Sequence, residues 1–426
     1  MPANQSAVEQ RMKRWQEQRW LLDAVVRTVG PDWDQGRLAG LLRACGPVAA
    51  ADVEAARSRM RKFDDMSREF ARVAVRRERI ARAEEELEHS VAARESYFIA
   101  ALFYAGAQWP IFENSAENRR LDRNKVECYS KYAQYADHEV RKAEIPFQGK
   151  SLPEWLHLPK VRAAERVPCV ISIPGMDAFK EGRVAMYGDR MLERGVAVLA
   201  IEGPGQYEAL LRGIHAGTTN WLDAGREMIA WVRSQPELDP EGIAVTGSSF
   251  GSFWATQVAS VDSRLKGCAV QMVAHEPARY TLFNLESPTF KFRFMFMAGY
   301  EDEDEFDQFM QGMSLEGVGE QIGCPYLVVA GEDDSHSPIE YTYRLLDTVK
   351  SPKELILYEG ADHGVAGSSS AELGPNPGNY LADWLKERFE DKPMESRHTF
   401  VDLGGHAEVT GFEEAKRRYS WAPDID

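Results

Sequence analysis

The stretch Val245–Ser252, VTGSSFGS, places Ser249 between Gly247 and Gly251 where an apolar run stops and helix-forming sequence begins. A Gly-x-Ser-x-Gly pentapeptide alone is a weak signal. Between a strand and a helix it is specific, because the glycines allow the close approach that holds a serine on a strained turn. The hydroxyl then projects from a helix N-terminus, whose dipole favours developing negative charge. Ser249 is the candidate nucleophile, and Ser248 and Ser252 are read as packing or capping residues.

Outward from this turn, strands and helices alternate. VPCVISIPG (167–175), VAVLAIEGPG (196–205), GIAVTGSS (242–249), GCAVQMVA (267–274), YLVVAGEDD (326–334) and ELILYEGADH (354–363) read as strands. Short Val/Ile/Leu runs of this kind suit strands covered on both faces. AFKEGRVAMYGDRMLERG (178–195), TNWLDAGREMIAWVRSQP (219–236) and FGSFWATQVASVD (250–262) read as the helices between them. The pattern predicts an α/β fold with an open, mostly parallel sheet and flanking helices. Before it, AEIPFQGKSLPEWLHLP (143–159) reads as two strands around a glycine-containing turn.

The first third is helical in pattern. ESYFIAALFYAGAQWPIF (95–112) is apolar nearly all round, which predicts a buried helix ended by Pro110. Tyr129, Tyr132 and Tyr135 form an aromatic stripe read as core. The domain reading is a helical N-terminal domain at 1–139, a core at 140–274 and 321–392, a lid insertion at 275–320 and a docked C-terminal tail at 393–426. The insertion is rich in aromatics and methionine and follows a strand's carboxyl end, where ligands bind in such sheets.

A serine hydroxyl needs a base, and the base an orienting carboxylate, here in the chain order Ser, acid, His. His363 follows a strand and is the candidate base. Asp334 is the preferred acid, with Asp333 as the alternative; His336 is read as exposed on the same loop, with lining of the site as the alternative. The backbone N–H groups of Phe250 and Met176 are the candidate oxyanion donors, since Pro174 has no N–H to offer.

Composition narrows the function classes. The 426 residues carry 51 Lys and Arg against 67 Asp and Glu, a net charge of -16. This disfavours nucleic acid and anionic membrane surfaces as partners. The five cysteines are widely spaced, and no Cys/His cluster suggests a metal. The N-terminal segment lacks an apolar leader core, so a cytoplasmic, reduced protein is expected, with no metal and no cofactor.

Together these residues resemble the α/β-hydrolase superfamily. Within it, the chain is similar to the group containing 2,6-dihydroxypseudooxynicotine hydrolase, the fungal polyketide-shortening hydrolases and the fermentation–respiration switch protein. IPFQGKSLPEWLHLP, IPGMDAFKE, IEGPGQYEA, GSSFGS, GEDDSHSP and GADHG carry the match over roughly Arg94 to Arg388. The resemblance implies an α/β-hydrolase core shielded by a helical domain, often a dimer, with no cofactor and an apolar or aromatic small-molecule substrate. It also implies hydrolysis of a carbon–carbon bond beside a ketone, with a lid glutamate near the substrate; NLESP offers Glu286 for that place. Glu202 in EGPGQ is read as structural. The elbow departs from the group's Gly-x-Ser-x-Gly-Gly by having Ser252. A carboxylesterase, lactonase or thioesterase with the same residues is the first alternative, and a non-catalytic regulatory protein the second.

Overall fold

The computed structural model describes residues 20–33, 36–162, 164–278, 283 and 287–418. Strands β1 (Glu139–Phe147) and β2 (Lys150–Leu158) form an antiparallel hairpin. Its turn is Gln148-Gly149, both with positive φ (48° and 74°), as a tight two-residue hairpin turn requires. The remaining strands are β3 (Val167–Ile173), β4 (Ala197–Ala200), β5 (Leu238–Ser249), β6 (Gly267–Val273), β7 (Tyr326–Gly331), β8 (Lys353–Tyr358), β9 (Arg397–Val401) and β10 (Ala407–Gly411). They make one sheet in the order β1-β2-β4-β3-β5-β6-β7-β8-β9-β10. From β4 to β9 every pairing is parallel; β2 and β10 join antiparallel at the two ends. Every residue of β4 and β7 is buried, the pattern of strands covered on both faces.

Helices α1 (Asp65–Glu86), α2 (Ser90–Gln108) and α3 (Ala116–Tyr135) precede the sheet, and α2 packs against both others. Every α2 residue from Ser96 to Gln108 is buried. Phe98 meets Tyr132 edge-on at 4.8 Å, and Tyr129 packs on Trp155 of β2 at 4.9 Å, so the tyrosine stripe joins the helices to the sheet. Within the sheet region, α4 (Asn220–Ser234) and α5 (Phe250–Ala259) are locked by Trp221 stacked on Trp254 at 4.5 Å. Among the described residues no helix is long and apolar enough to cross a membrane. All five cysteines are buried and unpaired.

Two stretches differ from their sequence reading. Residues 178–195 hold only a short 3-10 turn, Lys180–Gly182, and one helical turn, Arg190–Glu193, in place of the expected helix. The reason is that Lys180 and Glu181 are drawn inward as buried ion partners, and Gly188 takes a left-handed turn (φ 66°) before Asp189 caps the short helix. The segment read as a docked tail supplies β9 and β10, so the sheet extends beyond β8.

Candidate active site

The strand β5 ends at Ser249, which is held at φ 55°, a conformation L-residues rarely adopt. Crowding explains why it must be flanked by glycine. A Cβ at Gly247 would lie 2.1 Å from the Gly251 carbonyl oxygen, and one at Gly251 would lie 2.5 Å from that of Pro174. The buried Ser252 hydroxyl accepts from the Ala274 N–H at 2.9 Å, tying α5 to the end of β6. Ser248 accepts from the Arg183 guanidinium at 3.3 Å.

Three loops at the carboxyl ends of the parallel strands then converge. Ser249 Oγ lies 2.9 Å from His363 Nε2, and His363 Nδ1 lies 2.9 Å from Asp334 Oδ2. Asp334 is buried, and its Oδ1 also accepts from the N–H groups of His336 (2.9 Å) and Ser337 (3.1 Å). Asp333 is exposed and makes no such bond to His363; its N–H instead donates to the Ala361 carbonyl at 2.9 Å. That bond ties the acid loop to the histidine loop. Gly331 permits it, since a Cβ there would stand 2.2 Å from the Ala361 oxygen. Asp362 fixes the other side by accepting from the His363 N–H at 2.7 Å and the Ser335 N–H at 3.0 Å.

His336, expected to be exposed, is half-buried and stacks on His363 with ring centroids 4.5 Å apart. The insertion adds to its burial, since Phe290 packs against the His336 ring in a tilted contact at 5.4 Å. Asp334, His336 and His363 also bring potential ligand atoms within 4.8 Å of one another. The His363 Nδ1 and the Asp334 oxygens already satisfy each other, so hydrogen bonding accounts for this grouping.

Phe250 is the first residue of α5, so its N–H has no acceptor within the helix. Met176 follows Gly175, whose Cβ position would be 3.0 Å from the Ser249 Cβ. The sequence reading missed what holds this loop. Buried Gln206 donates from Nε2 to the carbonyls of Gly175 (2.9 Å) and Pro174 (3.3 Å), while its Oε1 accepts from the Gly203 N–H at 3.0 Å. In a trans peptide, the Gly175 C=O and the Met176 N–H point in opposite directions. Anchoring one therefore aims the other. Glu202, just before this clamp, accepts from Lys180 Nζ at 2.8 Å and from the Glu208 N–H at 3.1 Å, as a structural residue does. Burial pushes its carboxyl up, but Lys125 and Lys180 outweigh that and hold it below the usual range. Lys125 of α3 lies 3.4 Å from Glu202 and 3.0 Å from Asp122, so the helical region is keyed into the loop beside the site.

The insertion contributes helices α6 (Pro288–Ala298) and α7 (Glu303–Met310). Phe294 of α6 packs on Phe250 at 4.6 Å, directly over the elbow. Glu286 lies outside the described residues. A separate cleft of about 410 Å³, lined by Glu354, Trp384 and Arg397 among others, sits at the amino ends of the strands, away from Ser249.

A family model described as esterase FrsA-like matches residues 63–278, and one for the prolyl oligopeptidase family matches residues 191–391. The chain is 28% identical over 204 residues to the alpha/beta hydrolase xenA of Xenoacremonium sinensis, covering 46% of this chain and 48% of that protein. It is 26% identical over 319 residues to the alpha/beta hydrolase ucsC of Acremonium sp, covering 68% and 63%. To the hydrolase ORFZ of Pyricularia oryzae it is 33% identical over 192 residues, covering 42% and 45%. The chain thus spans about half the length of the curated relatives it matches. Among solved structures, 2,6-dihydroxy-pseudo-oxynicotine hydrolase superposes with a TM-score of 0.71 at 22% identity over 84% of this chain and 99% of that one. AbyA5 gives 0.60 at 16% identity over 82% and 98%. These two likenesses show the fold. The first family model spans just over half of the chain and includes the elbow, so the chain belongs to the esterase FrsA-like family, built on the α/β-hydrolase fold.

Proposed function

We propose that this protein is a serine hydrolase that works through an acyl-enzyme on Ser249 and cleaves the carbon–carbon bond beside a ketone in an aromatic or polyketide-like substrate. The observation that carries the serine mechanism is the unbroken hydrogen-bond chain from Ser249 Oγ through His363 to Asp334. In this reading His363 Nε2 takes the Ser249 proton as Oγ attacks the ketone carbon. Asp334 keeps the Nδ1 proton in place and stabilises the imidazolium that forms. The Met176 and Phe250 N–H groups receive the oxyanion. On collapse the acyl–carbon bond breaks, and the departing carbanion, or its enolate form, takes its proton from His363. Water, activated by the same imidazole, then releases the acid and restores Ser249.

Carbon–carbon cleavage is favoured by the likeness to 2,6-dihydroxy-pseudo-oxynicotine hydrolase along almost that whole chain and by the aromatic wall of the insertion, which suits a flat, apolar ligand under a lid. Ester hydrolysis is the second reading, favoured by the matching family's description. It needs the same residues and a better leaving group.

A fluorophosphonate probe is expected to label Ser249, and Ser249→Ala to abolish labelling. Absence of an adduct on the folded protein would overturn the serine mechanism in favour of a regulatory role. Side-by-side incubation with 4-nitrophenyl acetate and an acylphenol-type β-diketone separates the two bonds. Rapid ester turnover with no diketone cleavage would discard the carbon–carbon assignment.

A further inference from the structure

The core-facing side of α6 carries an unexpected charge. Phe290, Arg293, Phe294 and Met297 fall at helical spacing on one face, and all four are buried, Arg293 to 1% exposure. The phenylalanines on either side of Arg293 touch the site itself: Phe290 lies against His336, which stacks on His363, and Phe294 lies against Phe250 of the elbow. Arg293 is therefore held over the same region by its own helix.

Its guanidinium lies 4.5 Å over the Tyr207 ring, and the Tyr207 hydroxyl donates to the Asp177 carbonyl at 2.6 Å. Asp177 is the residue after Met176. Of the Asp177 carboxylate, Oδ2 accepts from Arg37 Nη2 at 3.1 Å, while the buried Oδ1 has no hydrogen-bond donor among the described residues and faces Arg293 as an ion-pair partner. Arg293 Nε stands 3.9 Å from Asp177 Oδ1, too far for a hydrogen bond. Among the described residues, Arg293 Nε and Nη2 have no acceptor although both atoms are buried. A leucine or methionine would serve packing better, because a buried charge without its full hydrogen bonds destabilises the fold. Planar, forked donors are the group of choice for a planar anionic oxygen pair.

We propose that Arg293 forms a subsite for an anionic oxygen of the substrate, a carboxylate or the enolate of a 1,3-diketone, placed beside the oxyanion loop. This assignment rests on the serine-hydrolase reading and adds the substrate's charge to it. An electron-rich, acidic substrate would be steered so that its ketone faces Ser249 while its anionic oxygen meets Nε and Nη2.

The test uses the full chain and two probe sets. The first compares neutral 4-nitrophenyl butyrate with the 4-nitrophenyl half esters of succinic, glutaric and adipic acids, which carry a carboxylate at graded reach. At least one half ester should show a KM about 10- to 100-fold below that of the neutral ester, as charge-assisted hydrogen bonds provide. Arg293→Met should erase that preference while leaving neutral-ester turnover within a few-fold, and Arg293→Lys should restore part of it. The second reads the enolate, as competitive inhibition of neutral-ester turnover by benzoylacetone that strengthens as the diketone ionises in the wild type and not in Arg293→Met. Should Arg293→Met not fold, the charge preference and the enolate inhibition of the wild type decide the matter alone. Equal KM values across the ester pairs with no enolate inhibition would overturn the subsite and leave the serine mechanism standing. Failure to turn over any ester, with Ser249 unlabelled, would strike the underlying reading instead.

Discussion

At Asp333 and Asp334, adjacent carboxylates have opposite fates. Asp334 is buried and reaches His363 Nδ1, while Asp333 is exposed and contributes its backbone. Asp334→Asn keeps the size but offers the imidazole the wrong partner, so kcat is expected to fall by about 10⁴-fold. Asp333→Asn leaves its N–H bond to Ala361 intact and should stay within about threefold of wild type, a change of under about 1 kcal/mol in the barrier. Initial rates on one chromogenic ester check both, and a reversed ranking would reassign the acid. Ser249, Asp334 and His363 were legible in the sequence because each stands at a strand end in a characteristic chain order. Gln206 and Arg293 were not, and His336 only as an alternative, because what marks them is a partner far along the chain. Gln206 is defined by the Pro174 and Gly175 carbonyls, His336 by the His363 ring, and Arg293 by the phenylalanines either side of it.

The elements around the site divide the labour. β5 and α5 place Ser249, the loop after β7 brings Asp334 and the loop after β8 brings His363. The loop after β4 touches no reacting atom and acts on the loop after β3 through Gln206. Gln206→Leu removes the side-chain donor that holds the Pro174 and Gly175 carbonyls, leaving Gly175 only the long 3.3 Å bond from the Ala178 N–H, and loosens the aim of the Met176 N–H. Its expected effect is a kcat lowered about 10- to 100-fold with KM changed little, since aim is lost rather than binding surface. An unchanged kcat in a variant of wild-type Tm would show that the loop holds its own shape. Regular elements were readable where periodicity was long, as in α2 and the central strands. The irregular run 178–195 was misread because its apolar residues recur at helical spacing while its charges, Lys180 and Glu181, are buried. β9 and β10 were missed because polar residues, Arg397, His398 and Thr399 in one and Glu408 and Thr410 in the other, break up the apolar run that marks a strand such as β4.

For the molecule as a whole, protonation sets an acid limit to stability. His275 is completely enclosed, with Nδ1 2.9 Å from Thr342 Oγ1, and burial drives its pKa from 6.5 down to about 3. The unfolded chain takes up this proton below about pH 6.5 while the folded one refuses it until about pH 3. Folding stability is therefore undiminished by this residue above pH 6.5 and falls as pH drops through that window, by about 1.4 kcal/mol per pH unit. Urea midpoints at pH 7 and pH 5 should differ more in the wild type than in His275→Gln, which carries no titrating ring. Parallel pH dependences would rule this residue out as the source.

The bridge made by Lys125 has a practical corollary for anyone wishing to dissect the chain. A truncation beginning at β1 would discard the ammonium that α3 sends into the sheet region, leaving Glu181, Glu202 and Glu208 to share Lys180. The helices are thus better regarded as the counterion of the hydrolase core than as a detachable accessory, and the two should denature together.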